Sequence, residues 1–160
     1  MLREYRHTEE YLLSGLGRRP ESTWKLFGPG SVGSQALVGI PVVAKLRYDK
    51  DLAPVSVVWP FETGFDILGE ARRRPVIVHA EIWPEVLPDT ARGYISRDVG
   101  PVLNLVAHLS KLDAQDTLID WFEVGEELDP ETRASCEQEE GWILGAYAPD
   151  WPLKDLPPDW

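Results

Sequence analysis

Only two stretches of this 160-residue chain read as buried β-strands, and that shortage limits what it can fold into. Val55-Ser56-Val57-Val58-Trp59 is short, β-branched and closed by Pro60. Val76-Ile77-Val78-His79-Ala80-Glu81-Ile82, between Pro75 and Pro84, is the clearer of the two. Its near-continuous apolar run predicts burial on both faces, as in a central strand of a parallel or mixed sheet. Two strands do not make a stable sheet alone, so helices must supply most of the core. The fold class expected is α/β, with few strands in a mixed sheet flanked by helices.

The helices are read from apolar spacing and punctuation. Leu2 to Leu16 places Tyr5, Leu12 and Leu16 near one stripe and stops at Gly15 and Gly17. Thr23 to Phe27 reads as a short strand or extended segment. A helix after the glycine-rich turn at 28–35 is short, or kinked at Pro41. Asp98 caps a helix to Lys111, with Pro101 in its first turn. Ala114 to Phe122 is a second helical piece. Asp129-Pro130-Glu131 starts a last helix, which runs to about Tyr147 across Gly141. Residues 1–147 then form one α/β domain. Residues 148–160, with four Pro and two Trp, form a tail without regular structure.

Charge narrows the function classes. The formal net charge is −11. Residues 1–50 carry 8 basic and 5 acidic groups, whereas residues 101–160 carry 3 and 14. A duplex-binding protein needs a basic face, so the balance disfavours a nucleic-acid partner outside the first third and Arg72-Arg73-Arg74. The lone cysteine, Cys136, excludes an intrachain disulfide and fits a reducing, cytoplasmic setting. No signal peptide is read at the start, and no apolar run approaches the ~20 residues of a membrane span.

Three features carry candidate chemistry. Gly28-x-Gly30-x-x-Gly33 matches a dinucleotide fingerprint as a pattern. A binding loop on it would use Gly30, Ser31, Gly33, Ser34 and Gln35, with Glu62 as the acid. Pro41 and the long spacing to Glu62 favour a plain tight turn instead. Glu81 interrupts an apolar strand near its C-terminal end, where an ionised carboxylate must be paired or bind metal. Its alternatives are a salt bridge, with the 72–74 arginines as candidates, and a ligand role. Acids recur late in the chain, at Asp98, Asp113, Asp116, Glu139 and Glu140. Carboxylates from separate elements are what Mg²⁺ or Mn²⁺ requires. His7, His79 and His108 show no zinc spacing, and the acidic helix around Cys136 does not favour a thiolate.

The runs Trp24 to Pro41, Val58 to Gly64, Ala80-Glu81-Ile82-Trp83-Pro84 and Glu139 to Gly145, in that order and spacing, resemble the domain of unknown function 429 family. That family is predicted to be RNase H-like. The resemblance implies a partial RNase H-like fold and a metal-dependent nuclease site built from carboxylates. Glu81 and Glu140 would be the metal ligands and catalytic groups, Asp98 an alternative third acid, and Mg²⁺ or Mn²⁺ the cofactor. Relatives carry a further N-terminal segment with the first strands and first acid, so the chain is expected to lack that part. Glu85 stands where relatives tend to have Ser, and Gly100-Pro101 interrupts a usually plain helix.

Two functions follow. One is phosphodiester hydrolysis, by this chain or by a larger protein of which it is a fragment, with metal affinity that falls on Glu81→Gln. The other is a non-catalytic module whose open sheet edge is covered by a second copy or a partner chain.

Overall fold

The two β-branched runs do pair. In a computed structural model describing residues 3–16, 20–67, 76–87, 99–125 and 128–147, β1 (Ser56–Val58) lies parallel to β2 (Ile77–His79). The register sets Ser56 opposite Ile77 and Val58 opposite His79. Both strands are shorter than their apolar runs. The burial expected on both faces of the second run is not met, since Ile77 is 41% exposed. Among the described residues no third strand pairs in register with these two. All described pairings are parallel, including an isolated bridge between Glu81 and Ile143, so the sheet is not mixed. The result is a small α/β fold with a minor two-stranded sheet flanked by helices. An RNase H-like topology is not apparent from two strands.

α1 (His7–Leu16) begins later than the apolar stripe suggests. Glu9, three residues into the turn, reaches back and accepts from the Arg6 backbone N–H at 2.9 Å. That is half of a capping box, and it fixes Arg6 as the cap. α2 (Val32–Arg47) runs unbroken through Pro41. Proline removes one helical donor, to the Leu37 carbonyl, but Leu37 is on the solvent side, where water can substitute. The short strand or extended segment expected at Thr23–Phe27 is instead a turn at Thr23–Trp24 followed by irregular chain, with Lys25 N–H donating to the Ser22 carbonyl.

α3 (Val99–Ala114) matches the helix read there, and Leu118–Phe122 is 3₁₀ rather than α. α4 (Pro130–Ser135) is capped by Asp129, whose Oδ1 accepts from the N–H groups of Glu131 and Thr132, each at 3.0 Å. It widens into a π-turn over Cys136–Glu140 and stops at Gly141, at φ 74°, instead of continuing to Tyr147. The Thr132 hydroxyl holds the Asp129 carboxyl below its ordinary range, helped by the Thr132 and Glu131 N–H groups. Replacing Asp129 with Ala is expected to lower the melting temperature by a few degrees at pH 7. The loss should shrink as the pH falls through the depressed carboxyl pKa, because the wild type then also loses the charged cap. Thermal melts at pH 7 and pH 3 check this.

The core is a chain of edge-packed rings: Trp142 on Phe65 (5.9 Å), Phe65 on Trp59 (5.7 Å) and Trp59 on Phe122 (5.4 Å). Such contacts add about 0.5–1.5 kcal/mol each beyond buried area. Trp59 and Trp142 are both 1% exposed. Corner packing explains their positions beside Pro60 and Gly141. Residues 72–74, Asp98 and the expected tail at 148–160 lie outside the described residues.

Candidate functional site

The cap of α1 is also the centre of the site. Arg6 sends Nη1 and Nη2 to the two oxygens of Glu81, both at 2.7 Å. Its Nε and Nη2 donate to Glu9 Oε1 at 3.0 and 2.8 Å, and Nη1 also donates to the Glu140 carbonyl at 2.9 Å. All five guanidinium N–H groups are therefore used. Burial works against the charge, but the carboxylates of Glu81 and Glu9 more than offset it, and the Arg6 pKa rises above its already high value. A planar fork between two carboxylates suits arginine and not lysine.

Glu81 reaches this point because its strand continues past β2. Its carbonyl accepts from Leu144 N–H at 2.9 Å, which draws residues 142–144 alongside. Ile143 N–H donates in turn to the buried Thr8 hydroxyl at 3.1 Å. Glu81, the odd acid in an apolar strand, is thus paired, and its partner is Arg6. Its side chain stays 39% exposed, at one end of an open groove of about 840 Å³ between α2 and the strands.

Glu140 comes from the π-turn. Its Oε2 accepts from the His7 backbone N–H at 2.9 Å and lies 2.8 Å from His7 Nδ1. Cys136, one turn back, is fully buried. Ligating atoms of His7, Cys136 and Glu140 all lie within 4.8 Å of one another. This His/Cys/Glu cluster is geometrically capable of holding a metal ion. Burial, and then the Glu140 carboxylate, push the Cys136 thiol pKa up to about 12. An ion bound here would have to displace that proton.

Arg6 thus joins the Glu81 carboxylate to the backbone carbonyl of Glu140, while the Glu140 carboxylate is held by His7. Arg6, His7 and Cys136 belong to this cluster, although the sequence marks none of them as a site residue. His7 and Glu140 stand 133 positions apart, so no local spacing announces them. Asp98 lies outside the described residues.

The glycine-rich turn lies at the far side of the groove. Val32 N–H donates to the Gly30 carbonyl (2.8 Å) and Gly33 N–H to the Lys25 carbonyl (3.0 Å). These two amides of the turn are thus spent within the protein. A Cβ on Gly33 would sit 2.5 Å from the Thr23 carbonyl oxygen, so this glycine permits close approach of α2 to the preceding turns. The Ser34 hydroxyl donates to the Ser31 carbonyl at 2.8 Å, and Gln35 lines the groove. Glu62 accepts from Arg47 Nε and Val58 N–H, both at 2.7 Å. Arg47 holds its carboxyl below the usual range, opposed by partial burial and assisted by Val58. No helix among the described residues is long and apolar enough to cross a membrane. Compared with known proteins, the chain matches no family model, no curated protein and no solved structure.

Proposed function

We propose that this protein is a metal-dependent hydrolase of small phosphodiesters, with His7, Cys136 and Glu140 holding the ion. The observation that carries this reading is the convergence of their ligating atoms within 4.8 Å. A nitrogen, a sulfur and an oxygen donor suit Zn²⁺ or a similar borderline ion better than the all-oxygen preference of Mg²⁺. The bound ion would supply Lewis acidity. Arg6 is a positioning residue, since every donor it has is committed to Glu81, Glu9 and the Glu140 carbonyl. Glu81 keeps a free lone pair on each oxygen and faces the groove, so it is the group to accept a proton from an attacking water. The likeness of residues 24–41, 58–64, 80–84 and 139–145 to the domain of unknown function 429 family supports a nuclease-type reaction. The net charge of −11 favours small substrates over long polyanions.

Calorimetric titration should show one Zn²⁺ bound per chain and much weaker binding of Mg²⁺. Cys136→Ser and His7→Ala should each cost at least about tenfold in affinity. Affinity should rise roughly tenfold per pH unit above neutrality while the thiol proton must be displaced, and Cys136→Ser should flatten that slope. Hydrolysis of bis(p-nitrophenyl) phosphate should stop with chelator and fall on Glu81→Gln without loss of the ion. Equal Zn²⁺ affinity in wild type and Cys136→Ser would sink the assignment. A non-catalytic module is the second reading, favoured by the double hold of Arg6 on Glu81. Retained ion binding with no hydrolysis would select it.

A further inference from the structure

The other unusual surface of the molecule is α2. A helix that is apolar on every side is normally buried on every side. In α2 only Gly33 is buried, and Leu37, Val38, Ile40 and Val42 are 67, 73, 64 and 56% exposed. Among the described residues, ten of the seventeen exposed large apolar side chains fall between residues 22 and 48. These expose on the order of 1,000 Å² together, comparable with the ~800 Å² per partner of a standard stable interface; Ile40, Val43 and Tyr48 line the groove, whereas Val38, Val42 and Leu46 do not. Single scattered apolar residues need no explanation, but ten within residues 24–48 do.

Charge points to the occupant. The chain carries 27 acidic residues, yet none lies between Glu21 and Asp49. Lys25, Lys45 and Arg47 are the charges there; Lys25 is paired with Glu21 and Arg47 with Glu62. Two copies with a net charge of −11 repel each other least where both lack acids. Val38, Val42 and Leu46 recur every four residues and form one exposed ridge, with Leu46 43% exposed. A ridge of this kind is self-complementary about a two-fold axis, and two antiparallel helices would hold their Lys45 side chains at opposite ends.

We propose that α2 is a homodimer interface, in which the Val38–Val42–Leu46 ridge packs against the same ridge of a second copy. This stands apart from the metal site, and its test does not depend on hydrolysis. Sedimentation velocity across micromolar to high-micromolar concentration should show a monomer–dimer equilibrium. The double variant Val38→Glu, Val42→Glu should raise the dissociation constant by about 100-fold, because like charges would face each other across the two-fold. Both positions are exposed, so helix content by circular dichroism should be retained. Hydrogen exchange of the unmodified protein gives an answer without a variant: amides of 36–46 should gain protection as concentration rises. A monomer of 18.1 kDa at all concentrations would overturn the proposal. So would a dimer that survives the double variant, or protection of α2 independent of concentration, which would mean that another segment of the same chain covers it.

Discussion

Replacing Arg6 with Met is expected to destabilise the fold by about 3–5 kcal/mol, the usual cost of leaving a buried charge without its partner. The Glu9 side chain is 1% exposed and has Arg6 as its ion-pair partner. Glu81 would lose both hydrogen bonds at once, and the Glu140 carbonyl would lose one. Lys should not rescue the position, because one ammonium cannot span Glu9 and Glu81 in the plane that the guanidinium occupies. Urea unfolding at pH 7 checks the magnitude. A second substitution checks the cause. Adding Glu9→Leu to Arg6→Met should recover much of the loss at pH 7, since no buried carboxylate then remains at that position. Additive costs in that double variant would mean that the pair is not what the fold depends on.

The same residue shows where sequence reading stops. That Glu81 needs a partner follows from its place in an apolar strand. That the partner is Arg6, 75 positions earlier, does not, because nothing local couples the two. Strand existence was legible at Val57 and Val78, where β-branching and length are local facts. Strand extent was not, because an apolar run cannot report whether a neighbouring strand exists to pair with Val76 or Ala80. Pro41 reads as a break from intrinsic preference, yet its helix is exposed enough for water to replace the lost bond. Gly141 reads as tolerable inside a helix, but it closes the π-turn that delivers Glu140: its N–H donates to the Cys136 carbonyl at 2.9 Å. In the sequence His7 shows no zinc spacing, and the acidic surroundings of Cys136 disfavour a thiolate. Tertiary contact between α1 and the π-turn brings them together, and no spacing rule covers that case.

Gly145 supplies the other large effect, and it ties the core to the site. Its φ is +77°, and a Cβ there would lie 2.5 Å from Cε3 and 2.8 Å from Cζ3 of Trp121. Trp121 is 5% exposed and packs against His108 with ring centroids 5.0 Å apart, so its ring has little room to retreat. Gly145→Ala should therefore combine left-handed backbone strain with overpacking, about 2–4 kcal/mol in all. Gly28 separates the two contributions. It has φ +87° with nothing within 4 Å of a Cβ, so Gly28→Ala should cost only the backbone part, about 1–2 kcal/mol. Equal losses in the two variants would mean that the Trp121 contact is inconsequential. The larger loss at Gly145 should also reach the His7–Cys136–Glu140 cluster. Gly145 N–H donates to the Trp121 carbonyl at 2.9 Å, one residue after Leu144 holds the Glu81 carbonyl and two after Ile143 holds Thr8. A segment pushed outward at Gly145 pulls on both anchors that set α1 against the strand. Zn²⁺ affinity should then fall in Gly145→Ala and stay unchanged in Gly28→Ala, although neither residue offers a ligand.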